Sequence, residues 1–218
     1  MTNSQVKHRA LSVPLSLEEF IVPEKTALVM WDMQKGLAGR AVNIDRIKVA
    51  AARLVKAADE AGVLVIWSRH LLPPLDLTVG PFLLFLMKKQ RVDHPAKLKP
   101  FMQAGMEEVD FLPGFAPAPH HIVLEKSMPS LFVDTPLDLR LKARGIATIV
   151  LAGVATDIGL EFTARHAMAS GYYSVIAEDA AGAYTEEAHA RSIAFLRSWT
   201  PVVSSDEICQ IWAKGRLS

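Results

Sequence analysis

Six short apolar runs, separated by longer segments of helical period, leave this chain few folds to adopt. Ala27-Leu28-Val29-Met30-Trp31, Val63-Leu64-Val65-Ile66-Trp67, Ile122-Val123-Leu124, Ile149-Val150-Leu151-Ala152, Ser174-Val175-Ile176-Ala177 and the brief Val202-Val203 lack the alternation of a half-exposed strand. Each therefore reads as a strand covered on both faces. Between them, Asp45 to Ala61, Leu137 to Ala143, Asp157 to Ala169 and Glu186 to Arg197 repeat their apolar residues as helices do. Asn43 or Asp45 serves as a starting cap, and Gly62, Gly145 and Gly171 as stops. The alternation predicts an α/β protein, a three-layer α-β-α sandwich around a central, mostly parallel six-stranded sheet. With 218 residues, 50% of them apolar, the chain is expected to form one domain over residues 1–218.

Two stretches stand outside this pattern. Residues 1–25 read as an N-terminal arm in which Pro14, Glu18, Glu19 and Pro23 interrupt any signal-peptide core, so a cytoplasmic protein is expected. From His70 to His121 the chain holds most of its 13 prolines, one strongly apolar helix candidate at Pro81 to Lys89, and no strand. A segment of this kind is expected to be a lid or a contact surface. Its greasiest run, Val79 to Met87, is far shorter than the roughly 20 residues of a membrane span. The formal net charge of +1 and the lack of any basic block beyond Lys88-Lys89 argue against a nucleic-acid partner. The single cysteine, Cys209, lies in an amphipathic segment, Ser205 to Trp212, and reads as a small apolar side chain.

In parallel sheets, ligands sit beyond the carboxyl ends of the strands, which singles out Asp32, Lys126, the turn Gly153 to Gly159, and Glu178-Asp179. Asp32 ends an apolar run, where loss of water suits a carboxyl group to proton transfer; capping of the next turn is an equally good reading. Lys126 can lean over the same edge towards a substrate oxygen or towards Asp32, or extend to solvent as a surface lysine. The first helical amides around Ile158 to Leu160 are expected to face the pocket and hold an oxyanion or carboxylate. Gly159 costs about 1 kcal/mol relative to alanine within a helix, which suggests a steric requirement from a ligand or from helix-to-sheet packing.

The order Asp32-x-Gln34, then Lys126 followed by Ser130 and Phe132, then Ala152-Gly153-Val154-Ala155-Thr156-Asp157-Ile158-Gly159 resembles the three signature blocks of the isochorismatase-like, or cysteine hydrolase, superfamily. Thr163-Ala164-Arg165 and Ala177-Glu178-Asp179-Ala180 are similar to the blocks that follow, so the likeness runs from about Thr26 to Ile211. The resemblance implies a Rossmann-like hydrolase fold, with Asp32 as acid/base, Lys126 as its charged partner, and a cis peptide at Val154-Ala155. It implies a catalytic cysteine at position 159, where this chain has glycine. Gln34, Ala155, Thr156, Ile158 and Gly159 become the expected substrate contacts, and a homo-oligomer the expected assembly.

Without the thiol, the thioester route of the superfamily's amidases is closed, and no histidine is placed in sequence to activate Thr156, Ser127 or Ser130. The isochorismatase branch resembles this chain in carrying glycine, and its vinyl-ether hydrolysis needs an acid, supplied here by Asp32. The chain departs from that branch at Ala155, where a tyrosine is usual, and is closer to uncharacterised bacterial relatives with the same glycine. A hydrolase acting on a small carboxylate-bearing substrate is the leading expectation. The alternatives are an inactive small-molecule-binding or assembly protein and an amidase with a relocated nucleophile. No cofactor is expected. No metal is expected either, because His70 stands without the aspartate and second histidine of a nicotinamidase-type zinc site, and His94, His120 and His121 lack helical pairing.

Overall fold

The computed structural model describes residues 13–214, so the first 12 residues of the expected arm lie outside the described residues. A short helix, α1 (Leu17–Phe20), leads into β1 (Thr26–Trp31), α2 (Ile44–Ala61) and β2 (Leu64–His70). The excursion that follows carries α3 (Gly80–Gln90) and returns through β3 (Ile122–Lys126). Then come α4 (Leu137–Ala143), β4 (Thr148–Val154), a π-helical turn at Thr156–Leu160, α5 (Glu161–Ala169) and β5 (Tyr173–Gly182). The described chain closes with α6 (Glu186–Arg197), β6 (Val202–Val203) and α7 (Ser205–Lys214).

The six strands lie in the order β3-β2-β1-β4-β5-β6, and every pairing is parallel. From β1 the chain builds outwards through β2 to β3; from β4 it builds the other way through β5 to β6. The order therefore reverses between β1 and β4, and the loops leaving their carboxyl ends diverge to opposite faces and open a crevice.

Side chains along each strand alternate between two cores. Leu28 and Met30 of β1, with Val150 and Ala152 of β4, pack against Ile47, Leu54 and Trp212 on the α2/α7 face. Ala27, Val29 and Trp31 of β1, with Ile149 and Leu151 of β4, face Leu141, Leu160, Ala164 and Ile193 on the α4/α5/α6 face. This period places Trp31 beneath the turn that follows β4. Gly153, at φ +113°, allows the two central strands to close there, since a Cβ would lie 2.1 Å from the Trp31 carbonyl oxygen.

Three expectations are adjusted. The helix foreseen over Asp157 to Ala169 begins as the π-helical turn. Asn43 stands at the start of α2, but its side chain bonds Glu186 instead of capping. Glu178 and Asp179 do not end a strand, because β5 runs on to Gly182. Glu178 pairs with Arg197, and Asp179 accepts from the Ser205 backbone and hydroxyl and pairs with Arg53, so neither belongs to the crevice.

The excursion has an apolar cluster of its own, in which Leu72, Phe82, Leu86, Leu98, Met102 and Val109 are buried together. Its later part is laced to the loop after β1 by backbone bonds from Lys35 to Asp110, Gly36 to Glu108, and Leu112 to Met33. No helix among the described residues is long and apolar enough to cross a membrane.

Candidate active site

At the carboxyl end of β1, Asp32 adopts φ +42°, a left-handed conformation that aspartate tolerates better than most residues and that turns its carboxylate into the crevice. Lys126 reaches it from two strands away and donates from Nζ to Oδ2 at 2.6 Å, with both residues at most 5% exposed. Ser68 completes the arrangement from the intervening strand. Its Oγ donates to Asp32 Oδ1 at 2.5 Å and accepts the Asp32 backbone N–H at 2.9 Å. Both carboxylate oxygens are thereby engaged as acceptors.

His70, two residues after Ser68 on the same side of β2, lies opposite Lys126 in the register and places Nδ1 3.3 Å from its Nζ. An ammonium can only donate, so this nitrogen accepts and the ring is neutral. Burial and the Lys126 charge hold His70 well below its ordinary value of 6.5. Burial likewise lowers the affinity of Lys126 for its proton, against the opposing pull of Asp32. Dehydrated cations bind their protons less firmly, and that makes Lys126 a usable proton source.

Position 159 is shaped by Trp31. A Cβ on Gly159 would stand 1.8 Å from Trp31 Nε1 and 2.1 Å from Cε2, so the indole already fills the volume of any side chain there. The Lys126 ammonium lies 4.4 Å from the centre of the same ring, within range of a cation–π attraction. The Val154-Ala155 peptide bond is cis. One expectation fails at this turn: the Ile158 and Leu160 amides do not point at a ligand, because both donate to the Ala155 carbonyl, at 3.3 and 3.2 Å.

Asp32, Lys126, Ala155, Ile158 and Gly159 line one cavity of about 700 Å³, within the range of small-molecule sites. Two other expected contacts are absent from its wall. Gln34 is fully buried, accepting from the His70 backbone N–H and donating to the carbonyls of His70 and Val109; it fastens the excursion to the sheet. Thr156 Oγ1 donates to the Gly182 carbonyl and lies 3.0 Å from His189 Nδ1, away from the crevice. The excursion roofs the cavity with Phe82, Phe85, Leu86 and Phe101 and brings Lys89 and Lys99 within reach of it, while Arg40 reaches it from the loop after β1. Tyr184, after β5, also faces in; burial and the Asp32 charge raise its hydroxyl well above the usual phenol range. Ser68, Trp31, Tyr184 and the individual aromatic residues of the roof escaped the sequence reading, and His70 was weighed there only as a metal ligand. Only Ser68-x-His70, a polar alternation at the end of an otherwise apolar strand, could have signalled its place.

Histidines do stand beside hydroxyls, contrary to expectation: besides His189 at Thr156, His166 Nδ1 lies 3.0 Å from Ser130 Oγ. Neither hydroxyl lines the cavity. On another part of the surface, His120 and His121 both meet Asp59 Oδ1, at 3.1 and 2.7 Å. His121 Nδ1 accepts N–H groups from Trp67 and Ala118, so its Nε2 carries the proton and donates to Asp59. A metal-bound imidazole shows the reverse pattern, donating from its outer nitrogen. The trio thus forms a hydrogen-bonded latch between α2 and the start of β3.

Comparison with known proteins shows the family of the chain. An Isochorismatase domain model matches residues 26–207. The chain is 31% identical over 187 residues to the uncharacterized isochorismatase family protein YwoC of Bacillus subtilis (strain 168), covering 79% of this chain and 86% of that one. It is 30% identical over 190 residues to the ureidoacrylate amidohydrolase RutB of Methylorubrum extorquens, covering 80% and 77%. The crystal structure of a cysteine hydrolase from Pseudomonas syringae pv. phaseolicola 1448A superposes with a TM-score of 0.78 at 21% identity, over 88% of this chain and 94% of the other. On the extent of these matches, the chain belongs to the isochorismatase family of hydrolases.

Proposed function

We propose that the protein hydrolyses a small carboxylate-bearing substrate, of the vinyl-ether type, by proton transfer through Asp32 and Lys126 and without a covalent enzyme intermediate. One observation carries this reading: the place of a nucleophilic side chain at Gly159 is filled by the Trp31 indole, beside a buried and fully hydrogen-bonded Asp32–Lys126 pair. Among the described residues, the wall of the cavity contains no cysteine, serine or threonine. Arg40, Lys89 and Lys99, against Glu108, leave its surroundings net positive and favour an anion.

In this mechanism the proton held between Lys126 Nζ and Asp32 Oδ2 passes from the carboxyl group to the methylene carbon of the enol ether. Water then adds to the resulting oxocarbenium ion, and its surplus proton returns to the pair. The hemiketal breaks its carbon–oxygen bond to give a 2-keto acid and an alcohol, with one water consumed and the pair regenerated. The same Lys126 charge that holds Asp32 also steadies the substrate carboxylate.

The test is turnover of isochorismate, nicotinamide and an N-carbamoyl amino acid by the wild type and by Asp32→Asn. Hydrolysis of the enol ether alone, reduced about a thousandfold or more in a variant that keeps its thermal unfolding transition, is the expected result. Amide products with an acyl adduct in the intact mass would identify an amidase with a relocated nucleophile. Thermal shifts without any product would identify a binding protein. Either outcome overturns the proposal.

A further inference from the structure

Within this reading of the cavity as the active site, we propose that the indole N–H of Trp31 is a substrate contact, and that it receives an anionic oxygen directly beside Gly159. The feature replaces the expected oxyanion site, whose Ile158 and Leu160 amides are committed to the Ala155 carbonyl. With those two amides taken, a side-chain donor at the same place can hold an anion.

Trp31 meets the requirement on three counts. It is 1% exposed and lines the cavity, and its Nε1 has no hydrogen-bond acceptor among the described residues. The nitrogen is the ring atom nearest to where a Gly159 Cβ would stand, so the donor sits at the point a nucleophile would otherwise occupy. Finally, the Lys126 ammonium over the ring face withdraws electron density from the indole, which makes the edge N–H a better donor. Among the described residues, Trp199 Nε1 is the one indole nitrogen that is buried without a partner; Trp31 Nε1 instead opens onto the cavity, where an incoming carboxylate oxygen can accept its proton. Exchanging a thiol for an indole would convert this position from one that attacks the substrate into one that holds it.

The other three tryptophans supply an internal control. Trp67 Nε1 donates to His121 and Trp212 Nε1 to the Ile21 carbonyl, while Trp199 Nε1 is buried with no partner and does not line the cavity. In 1H–15N spectra of the full-length protein, with the Trp31 indole assigned sequentially in the wild type, oxalate and benzoate are titrated against the neutral analogue benzamide. The expected result is a saturable downfield shift of the Trp31 indole proton with the two carboxylates only, and still signals from the other three. Trp31→Phe, which keeps a ring beneath Lys126 but removes the N–H, should bind both carboxylates about tenfold or more weakly. If amides of Ile158 and Tyr184 respond while the Trp31 indole does not, or if Trp31→Phe binds as tightly as the wild type, the inference is wrong and the cavity reading survives. If no cavity signal responds to any probe, both are wrong.

Discussion

The two halves of the cavity are held by different physics. Its floor is set by strand register: Asp32, Ser68, His70 and Lys126 come from three adjacent parallel strands, are at most 8% exposed, and satisfy one another at fixed distances. Its roof comes from the excursion between β2 and β3, where Phe82 and Phe85 stack at 5.3 Å and Lys89 lies 5.5 Å from the Phe85 ring. Here the fixings are apolar packing and individual hydrogen bonds, with no buried ion pair among the described residues. Gln90 exchanges two hydrogen bonds with the Lys99 backbone, and Gln34 pins His70 to Val109. A floor built this way tolerates little change and serves the chemistry; a roof built from apolar packing can be rebuilt to admit a different molecule over the same chemistry.

The contrast is open to direct attack. Lys126→Met strands the Asp32 charge in the interior and should cost roughly 3–5 kcal/mol in urea unfolding, together with the activity. A loss below about 1 kcal/mol would dissolve the distinction between floor and roof. Gly159→Cys should cost about 1–3 kcal/mol by overpacking against Trp31 and give no acyl adduct with amides. A double-mutant cycle with Trp31→Val should show the two changes relieving each other by about 1 kcal/mol or more.

His70 gives a pH test of the same region. The unfolded chain protonates it near 6.5 while the folded chain keeps it neutral, so protons favour unfolding and stability falls as the pH drops below that value. The loss approaches about 1.4 kcal/mol per pH unit for this group. His189, also lowered by burial, acts in the same direction. Thermal unfolding from neutral to acid pH should therefore be flatter in His70→Gln. The smallest stability effect is expected in the roof: Phe85→Ala should cost about 1 kcal/mol yet raise KM several-fold with kcat little changed. An equal fall in kcat would move the roof into the chemistry.

Legibility in the sequence follows the same division. Asp32, Lys126 and the Gly153 to Gly159 turn could be placed because apolar runs announce buried parallel strands, and a strand's last residue has only one neighbourhood. A mostly parallel sheet with covering helices was readable on those grounds; that every pairing is parallel came from the structure. Trp31 was hidden because an aromatic residue closing an apolar run looks like more core, and its edge N–H matters only once Gly159 is seen beside it. Gln34 and Thr156 stand in motifs that suggest ligand contact, but each turns inwards to satisfy backbone carbonyls. The roof was unreadable because side-chain bonds to backbone, such as those of Gln90, have no period.

Ser68 has one hydroxyl proton, and it is committed to Asp32 Oδ1. Every exchange between this carboxylate and a bound molecule therefore runs through Oδ2, on the side of Lys126. A flat carbon presented there is approached from one side only. With a substrate whose methylene carries one tritium at a defined position, turnover in heavy water should leave a CHDT methyl group of a single handedness, so that a serine hydroxyl distant from the reacting carbon would be legible in the configuration of what is released.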